Sequence, residues 1–142
     1  MKRFKHVARF LGIIAVLACL VCVGCAGPKP KAGEVFPCAA DSSIEKTIAP
    51  EAELADFSCV VKNWEGMEVL HFNVAVKNVS DQPQRYRVNI FLDNGKAVGG
   101  LIPQSTKKGL VEPGQTASFV YPVSGMDRAP KSIVLMVKTM SQ

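Results

Sequence analysis

Cysteine is the residue type whose spacing in this sequence points most directly to chemistry. Three of the five cysteines lie within residues 19–25, and the other two are Cys38 and Cys59. A thiol can carry a lipid, form a disulfide or bind a metal, and the flanking residues favour one of these in each region. Cys38 and Cys59 lack the closely paired spacing of structural zinc ligands, so the sequence predicts no metal site and no other cofactor.

The residues before Cys25 are typical of an export signal. Residues 1–9 carry four positive charges and no negative charge, and residues 10–23 form an uncharged apolar run. A basic start, a short apolar segment and a processing site of small residues together make up a signal peptide. We therefore expect residues 1–24 to be removed from the mature protein.

The stretch Cys22-Val23-Gly24-Cys25 resembles the lipobox of bacterial lipoprotein signals at three of its four positions, since Cys22 replaces the usual leucine. The resemblance implies that a peptidase cuts before Cys25 once its sulfur has received a diacylglyceryl group. It further implies a protein of the bacterial cell envelope, held at the membrane by its N-terminal lipid. Because Ala26 follows Cys25 in place of aspartate, the resemblance implies delivery to the outer membrane, facing the periplasm.

Three alternatives to lipidation at Cys25 remain open. The stretch Val16-Leu17-Ala18-Cys19 would place the lipid on Cys19, but it follows a short apolar segment and would leave an apolar leader on the mature protein. Residues 10–26 could stay as an uncleaved membrane helix, although they fall short of the roughly 20 apolar residues that such a helix needs. An ordinary secretory signal would require no cysteine at the cleavage site.

Cys38 and Cys59 remain as a pair once Cys25 carries lipid. Disulfides persist in oxidising compartments, so these two residues are the candidate disulfide. In the chain-entropy model, closing the loop between them stabilises the fold by about 3 kcal/mol. The alternative is two unpaired thiols, with Cys59 filling a small apolar position in the core.

The charge of the mature chain argues against one class of partner. The formal net charge of +5 falls to +1 when residues 1–24 are removed, because four of the 17 basic side chains lie there. Nucleic-acid surfaces need clustered basic residues that neutralise phosphates, and the densest run left is Lys107-Lys108. We therefore predict no binding to nucleic acid.

The mature sequence shows no set of residues suited to catalysis. His71 is the one histidine outside residues 1–24, and no serine has the Gly-x-Ser-x-Gly context of a nucleophile. We expect His71 to be a half-exposed strand residue opposite Leu70 and Phe72. The acidic residues cluster at predicted element edges, where charge is typical of solubility: Glu51, Glu53, Asp56, Glu65 and Glu68. The sequence predicts a protein that is not an enzyme.

Strands must position any binding residues, because period-two alternation dominates from Ala52 onward. In residues 67–78 and 85–92, apolar side chains alternate with polar ones, which indicates sheets with one buried face. Asp93-Asn94-Gly95 predicts a hairpin with a type I′ turn. We predict a first strand through Phe57, Cys59 and Val61 that runs to Trp64. Further strands are predicted over residues 67–78, 85–92, 96–102, 116–121 and 132–140, and we expect an all-β antiparallel sandwich of about seven strands.

The chain before these strands differs in composition. Four prolines interrupt residues 26–50, with glycine and serine between them. Such a segment buries little apolar surface and is typical of a flexible linker. We therefore divide the chain into a signal peptide (1–24), a lipidated N-terminus with a tether (25–50) and a sandwich domain (51–142).

Three stretches carry a second resemblance: Val76-Lys77-Asn78-Val79-Ser80, Val88-Asn89-Ile90-Phe91-Leu92-Asp93-Asn94-Gly95 and Leu110-Val111-Glu112-Pro113-Gly114-Gln115. On them, residues 68–140 resemble the immunoglobulin-like modules of bacterial envelope lipoproteins, especially the type named FxLYD. The tyrosine that this type places before the aspartate is absent from Phe91-Leu92-Asp93. The resemblance implies an immunoglobulin-like fold and transfers no catalytic residue. Asn78-Val79-Ser80 is interpreted as turn chemistry at a strand end.

Exposed aromatic and arginine side chains are the candidate contact residues. Trp64 lies at a predicted hairpin tip, and Phe91 shares a strand face with Arg85 and Arg87. Tyr121 is a further aromatic candidate, and for each of these rings the alternative is a place at the edge of the core. Because aromatic and arginine side chains are enriched at interface hot spots and open sheet edges accept strands, the leading hypothesis is binding to another envelope protein. The alternative is a small ligand, glycan or peptidoglycan on the Phe91 face. The oligomeric state is left open.

Overall fold

A computed structural model describes residues 29–103 and 109–140 of the chain. The predicted signal peptide 1–24 and the predicted lipidation residues Cys25 and Cys19 lie outside the described residues. The described part contains eight strands and one short 3₁₀ turn at Asp41–Ser43. The strands are β1 (Val35–Phe36), β2 (Ile44–Ile48), β3 (Ala52–Trp64), β4 (Met67–Asn78), β5 (Tyr86–Leu92), β6 (Ala97–Ile102), β7 (Thr116–Val123) and β8 (Ile133–Thr139).

The strands form two four-stranded sheets, which confirms the predicted all-β sandwich. Sheet A has the order β1-β3-β4-β7, and sheet B has the order β2-β8-β5-β6. Each sheet is built on a hairpin, β3–β4 or β5–β6, and a later strand returns beside it, β7 next to β4 and β8 next to β5. This Greek-key connection places both hairpins face to face around one core.

Two features differ from the prediction. The strand β2 pairs parallel to β8, so the sandwich is not wholly antiparallel. The sandwich also begins before residue 51: β1 pairs with β3, and Cys38 is buried. The prediction of a flexible tether up to residue 50 is therefore wrong for residues 35–48. These short strands gain their order from distant partners, and local composition does not report such pairing.

A disulfide between Cys38 and Cys59 joins this early segment to β3, as predicted. The two Cα atoms are 4.9 Å apart, within the range that a disulfide spans. Both residues belong to the apolar core. The bridge therefore holds the chain beside β1 against the sheet.

The core consists of the inward faces of the two sheets. In β5, and in β4 from Phe72 onward, the buried residues alternate as predicted, because every second side chain of a strand points to the same side; residues 69–72 of β4 are buried on both faces. Tyr86 lies wholly inside and its hydroxyl donates a hydrogen bond to the carbonyl oxygen of Glu51 at 2.8 Å. The largest fully buried side chains are Tyr86, Phe72, Leu70, Ile90, Ile102, Ile133 and Leu135.

The type I′ turn lies in the β3–β4 hairpin and not in the β5–β6 hairpin, where the sequence predicts it. Between β3 and β4, Glu65 and Gly66 have φ values of 51° and 84°, the two positive values that a type I′ turn requires. Between β5 and β6, only Gly95 has a positive φ, at 80°. The predicted type I′ turn at Asp93-Asn94-Gly95 is therefore wrong, and this hairpin has a three-residue loop with glycine in the left-handed position.

The Asn78-Val79-Ser80 motif acts as turn chemistry at the end of β4, as interpreted. The Asn78 amide is fully buried and donates to the carbonyl oxygens of Gln82 and Val111, both at 2.7 Å. Its oxygen accepts hydrogen bonds from the backbone N–H and the hydroxyl of Ser80.

In the part of the chain that the structure describes, no helix is long and apolar enough to cross a membrane.

Candidate functional site

Four strands lie at sheet edges in the described structure: β1 and β7 in sheet A, and β2 and β6 in sheet B. An edge strand presents backbone N–H and C=O groups that no neighbouring strand satisfies. Natural sheets protect such edges by short strands, charged residues or proline. The four edges of this sandwich differ in such protection.

Three of the edges carry a recognisable protection. The strand β1 has only two residues, and β2 carries the exposed charges of Glu45 and Lys46. In β7 the protection is Pro122, which lies opposite His71 of β4. The pair Asn78–Gln115 is hydrogen-bonded, so alternation along the ladder puts Pro122 at a position whose backbone faces the open edge. A proline there removes one N–H that a partner strand would need.

The fourth edge, β6, has none of these protections. Its sequence Ala97-Val98-Gly99-Gly100-Leu101-Ile102 contains no charge and no proline. The N–H of Leu92 donates to the carbonyl oxygen of Lys96 at 2.9 Å, which fixes the hydrogen-bonding phase of the β5–β6 ladder. The phase alternates from there, so the backbone groups of Ala97, Gly99 and Leu101 point away from β5 to the open edge.

A groove of about 480 Å³ lies between the open edges of β6 and β7. Its walls are the first half of β6, the second half of β7 and the side chain of Trp64. The rings of Phe119 and Tyr121 meet edge to face, with centroids 4.7 Å apart. The lining residues are Trp64, Ala97, Val98, Gly99, Phe119, Val120, Tyr121 and Pro122.

Tyr121 is the polar residue of this mostly apolar groove. Its side chain is buried, and its hydroxyl makes no hydrogen bond with the described residues. Burial raises the pKa of the Tyr121 hydroxyl, so the group is protonated at neutral pH and can donate a hydrogen bond. Tyr121, predicted as a candidate contact residue, has its ring in the core and its hydroxyl oxygen buried.

Glycine at position 99 is required by the packing of β6 on β5. A Cβ atom there would collide with the carbonyl oxygen of Val88, which is backbone and cannot move aside. At Gly100 a Cβ atom would lie 3.3 Å from Cε1 of Tyr121, a much milder contact. The paired glycines therefore let β6 approach both β5 and the Tyr121 ring closely.

The structure separates the predicted contact residues into two groups. Trp64 lies at the tip of the β3–β4 hairpin, as predicted, and is 48% exposed. Phe91 and Arg87 are exposed on the outer face of sheet B, where they lie opposite Ala97 and Leu101 of β6. Arg85 precedes β5 and is half-buried. Phe91 and Arg87 thus border the open edge, whereas Trp64 belongs to the other sheet.

His71 differs from the prediction, because it is buried and not half-exposed. It lies between Val60 and Pro122 on the outer face of sheet A, and the Trp64 ring packs edge-on against it at 5.7 Å. Its Nδ1 donates to the carbonyl oxygen of Val69 at 2.8 Å. Sequence alternation gave no sign of this second buried layer, because the layer depends on a tryptophan several residues away.

The open edge of β6 combines unpaired backbone groups with an adjacent apolar groove. This arrangement suits an extended peptide, whose backbone can pair with β6 while alternate side chains enter the groove. Comparison of the chain with family models, with curated proteins and with solved structures finds no match.

Proposed function

We propose that this protein is a lipid-anchored, non-enzymatic lipoprotein of the bacterial cell envelope that binds an extended segment of another envelope protein. The segment adds as a strand to β6. The observation that carries this proposal is the contrast among the edges of the described sheets, of which β6 alone lacks proline, charge and extreme shortness.

The backbone of β6 supplies the affinity in this mechanism. Ala97, Gly99 and Leu101 present N–H and C=O groups at a two-residue repeat, the spacing at which an added strand presents its own. Main-chain pairing of this kind depends little on partner sequence, and the side chains of the added strand provide the selectivity. One set faces the groove beside Tyr121, and the other continues the outer face that carries Phe91 and Arg87.

The anchor and the family assignment belong to the same proposal. The lipobox supports a lipid on Cys25, and the sandwich fold is compatible with an immunoglobulin-like module of the FxLYD type. The resulting address is the outer membrane, facing the periplasm. A module held there by lipid meets envelope proteins by diffusion in two dimensions, so modest edge affinity is sufficient for capture.

A second candidate is a small ligand, glycan or peptidoglycan on the outer face of sheet B. The observation that favours it is the exposed Phe91 ring, 45% accessible, on the same face as Arg87. Under this alternative, Phe91→Ala and Arg87→Ala abolish binding without shifting the unfolding midpoint. Strand addition predicts that these two substitutions weaken binding only partly, because the backbone of β6 is untouched.

The decisive test replaces one open-edge N–H. Ala97→Pro removes such a donor at the first residue of β6, where proline is tolerated, and breaks no β5–β6 hydrogen bond. Ser118→Pro is the matched control, because it makes the same change at an open-edge position of β7. A photo-crosslinking amino acid at Leu101, introduced in each background, reports capture in intact cells.

We expect one adduct to a single envelope protein from the otherwise unchanged chain and from the Ser118→Pro background. Ala97→Pro should lower capture by about tenfold, because a partner carbonyl is left without its donor. Equal adduct yields in the two proline backgrounds would contradict strand addition at β6.

A further inference from the structure

We infer that the tip of the β3–β4 hairpin, Trp64-Glu65-Gly66-Met67, contacts the lipid bilayer interface and sets the orientation of the domain on the membrane. This inference rests on the lipid at Cys25 in the proposed function. In this arrangement the domain does not move freely on a long tether, because one defined end of it faces the bilayer.

Lys29 lies at the tip end of the sandwich. The ammonium of Lys29 contacts Glu68 Oε2 at 2.5 Å and Asp127 Oδ2 at 3.1 Å. Glu68 directly follows the tip, and Asp127 lies in the loop after β7. A few residues later, the N–H of Gly33 donates to the carbonyl oxygen of Val61 at 2.8 Å. The chain is thus fixed to the tip end of the sandwich from Lys29 onward.

The lipid on Cys25 is close to Lys29 along the chain. Only four peptide steps separate Cys25 from Lys29. A fully extended chain of that length spans at most about 14 Å. The strand β3 alone has 13 residues and extends for roughly 40 Å at the usual rise per residue. The lipid therefore reaches the tip end and cannot reach the far end of the sandwich.

The tip of the β3–β4 hairpin exposes two large apolar side chains. Trp64 and Met67 are cross-strand partners on one face, and they are 48% and 59% exposed. Tryptophan is enriched at membrane interfaces because its ring is apolar and its N–H is polar. Two acidic groups beside the tip have basic partners, since Lys29 binds Glu68 and Asp127 and Arg128 also binds Asp127, whereas Glu65 within the tip is exposed and charged. Such a surface matches the headgroup layer better than open water.

The opposite end of the sandwich has a different character. Its turns contain no aromatic residue among the described residues, and the exposed side chains include two carboxylates, Asp81 and Glu112. Val79 and Leu110 are exposed apolar residues there, at 48% and 37%. That end suits water, which gives the domain one membrane-facing end.

The test uses the single tryptophan of the chain as its reporter. The full-length lipidated protein is reconstituted into phosphatidylcholine vesicles, either plain or brominated on the acyl chain near the headgroup. Bromine quenches tryptophan fluorescence only at close range. The matched control carries Trp64→Phe and Val79→Trp, which moves the reporter to the far end.

We expect a blue-shifted emission from Trp64 in plain vesicles and the loss of most of that emission in brominated vesicles. The control should keep its emission in both. Equal emission from Trp64 in the two vesicles, from protein that floats with them and carries the acyl mass, would overturn the inference and leave the anchor intact. Protein that lacks the acyl mass would overturn the anchor and the inference together.

Discussion

The strands β6 and β7 border the same groove, but only β7 carries a proline on its open side. Pro122 removes a backbone donor from the open side of β7, whereas Ala97, Gly99 and Leu101 leave the open side of β6 intact. Neither edge carries a charge, and the two strands are similar in length. The difference teaches that the two edges are distinguished by a backbone donor and not by charge or length.

The largest expected effect comes from removing the disulfide, because the edge of β3 then becomes a second open edge. The disulfide between Cys38 and Cys59 holds the segment that follows β1, and β1 covers the outer side of β3. The double variant Cys38→Ala with Cys59→Ala should lose about 3 kcal/mol of unfolding free energy, measured by urea titration. It should also self-associate, because β3 gains an exposed edge.

A double variant that stays monomeric in analytical ultracentrifugation would show that edge protection does not depend on the bridge. A variant with only Cys38→Ser leaves the second thiol free and serves as the comparison for oxidation effects. Unchanged unfolding free energy would contradict the stabilising role of the disulfide.

The next effect separates the two glycines of β6. Gly99→Ala places a Cβ atom against the Val88 carbonyl and should cost about 1–3 kcal/mol of unfolding free energy. Gly100→Ala meets only the Tyr121 ring at 3.3 Å and should cost clearly less. Thermal unfolding of the two variants side by side measures the difference, and equal costs would contradict the close approach at position 99.

A smaller effect concerns the groove. Tyr121→Phe removes a buried hydroxyl that has no partner among the described residues, so unfolding free energy should rise by about 1 kcal/mol. A loss of stability in urea titration would show that the hydroxyl is satisfied in the free protein.

Several of these features follow from the sequence, and others depend on pairing between distant residues. The strand β4 has the predicted bounds because its alternation of apolar and polar residues is long and regular. The strands β1 and β2 were missed because their partners, Val60 and Ile133 among them, lie far away in sequence. Local composition around Pro37 and Ser42 resembles a linker, and only tertiary pairing overrides it.

The sequence shows the residues of the candidate site but not their arrangement. The sequence shows Gly99-Gly100, Pro122 and Trp64. It does not show which strands end at a sheet edge, and that order decides whether a backbone donor is free. The burial of His71 was missed for the same reason, because the covering ring of Trp64 comes from the neighbouring strand.

The smallest expected effect tests the attachment of residues 29–34 to the sandwich. Lys29 and Arg128 hold the pKa of the Asp127 carboxyl below its ordinary value. A carboxyl whose pKa is lower in the folded state stabilises the fold at pH values above its ordinary pKa. That stabilisation is lost as the pH falls through the lowered pKa. Residues 29–34 should therefore fray in acid, near and below pH 3.8, while the sandwich stays folded.

Amide exchange of Gly33 reports this local opening, because its N–H is bound to Val61. Lys29→Ala should produce the same fraying at neutral pH with no change in the global unfolding midpoint, since the pair is exposed to solvent. Full protection of Gly33 in the variant would contradict the role of Lys29.

Residue-resolved amide exchange along β6 tests the central claim most directly. In the free protein, the N–H groups of Ala97, Gly99 and Leu101 should exchange rapidly, while those of Val98 and Gly100 are protected by β5. In the complex with the captured envelope protein, the three rapid amides should become protected. An unaltered alternation after partner binding, or five amides equally protected in the free protein, would contradict strand addition to β6.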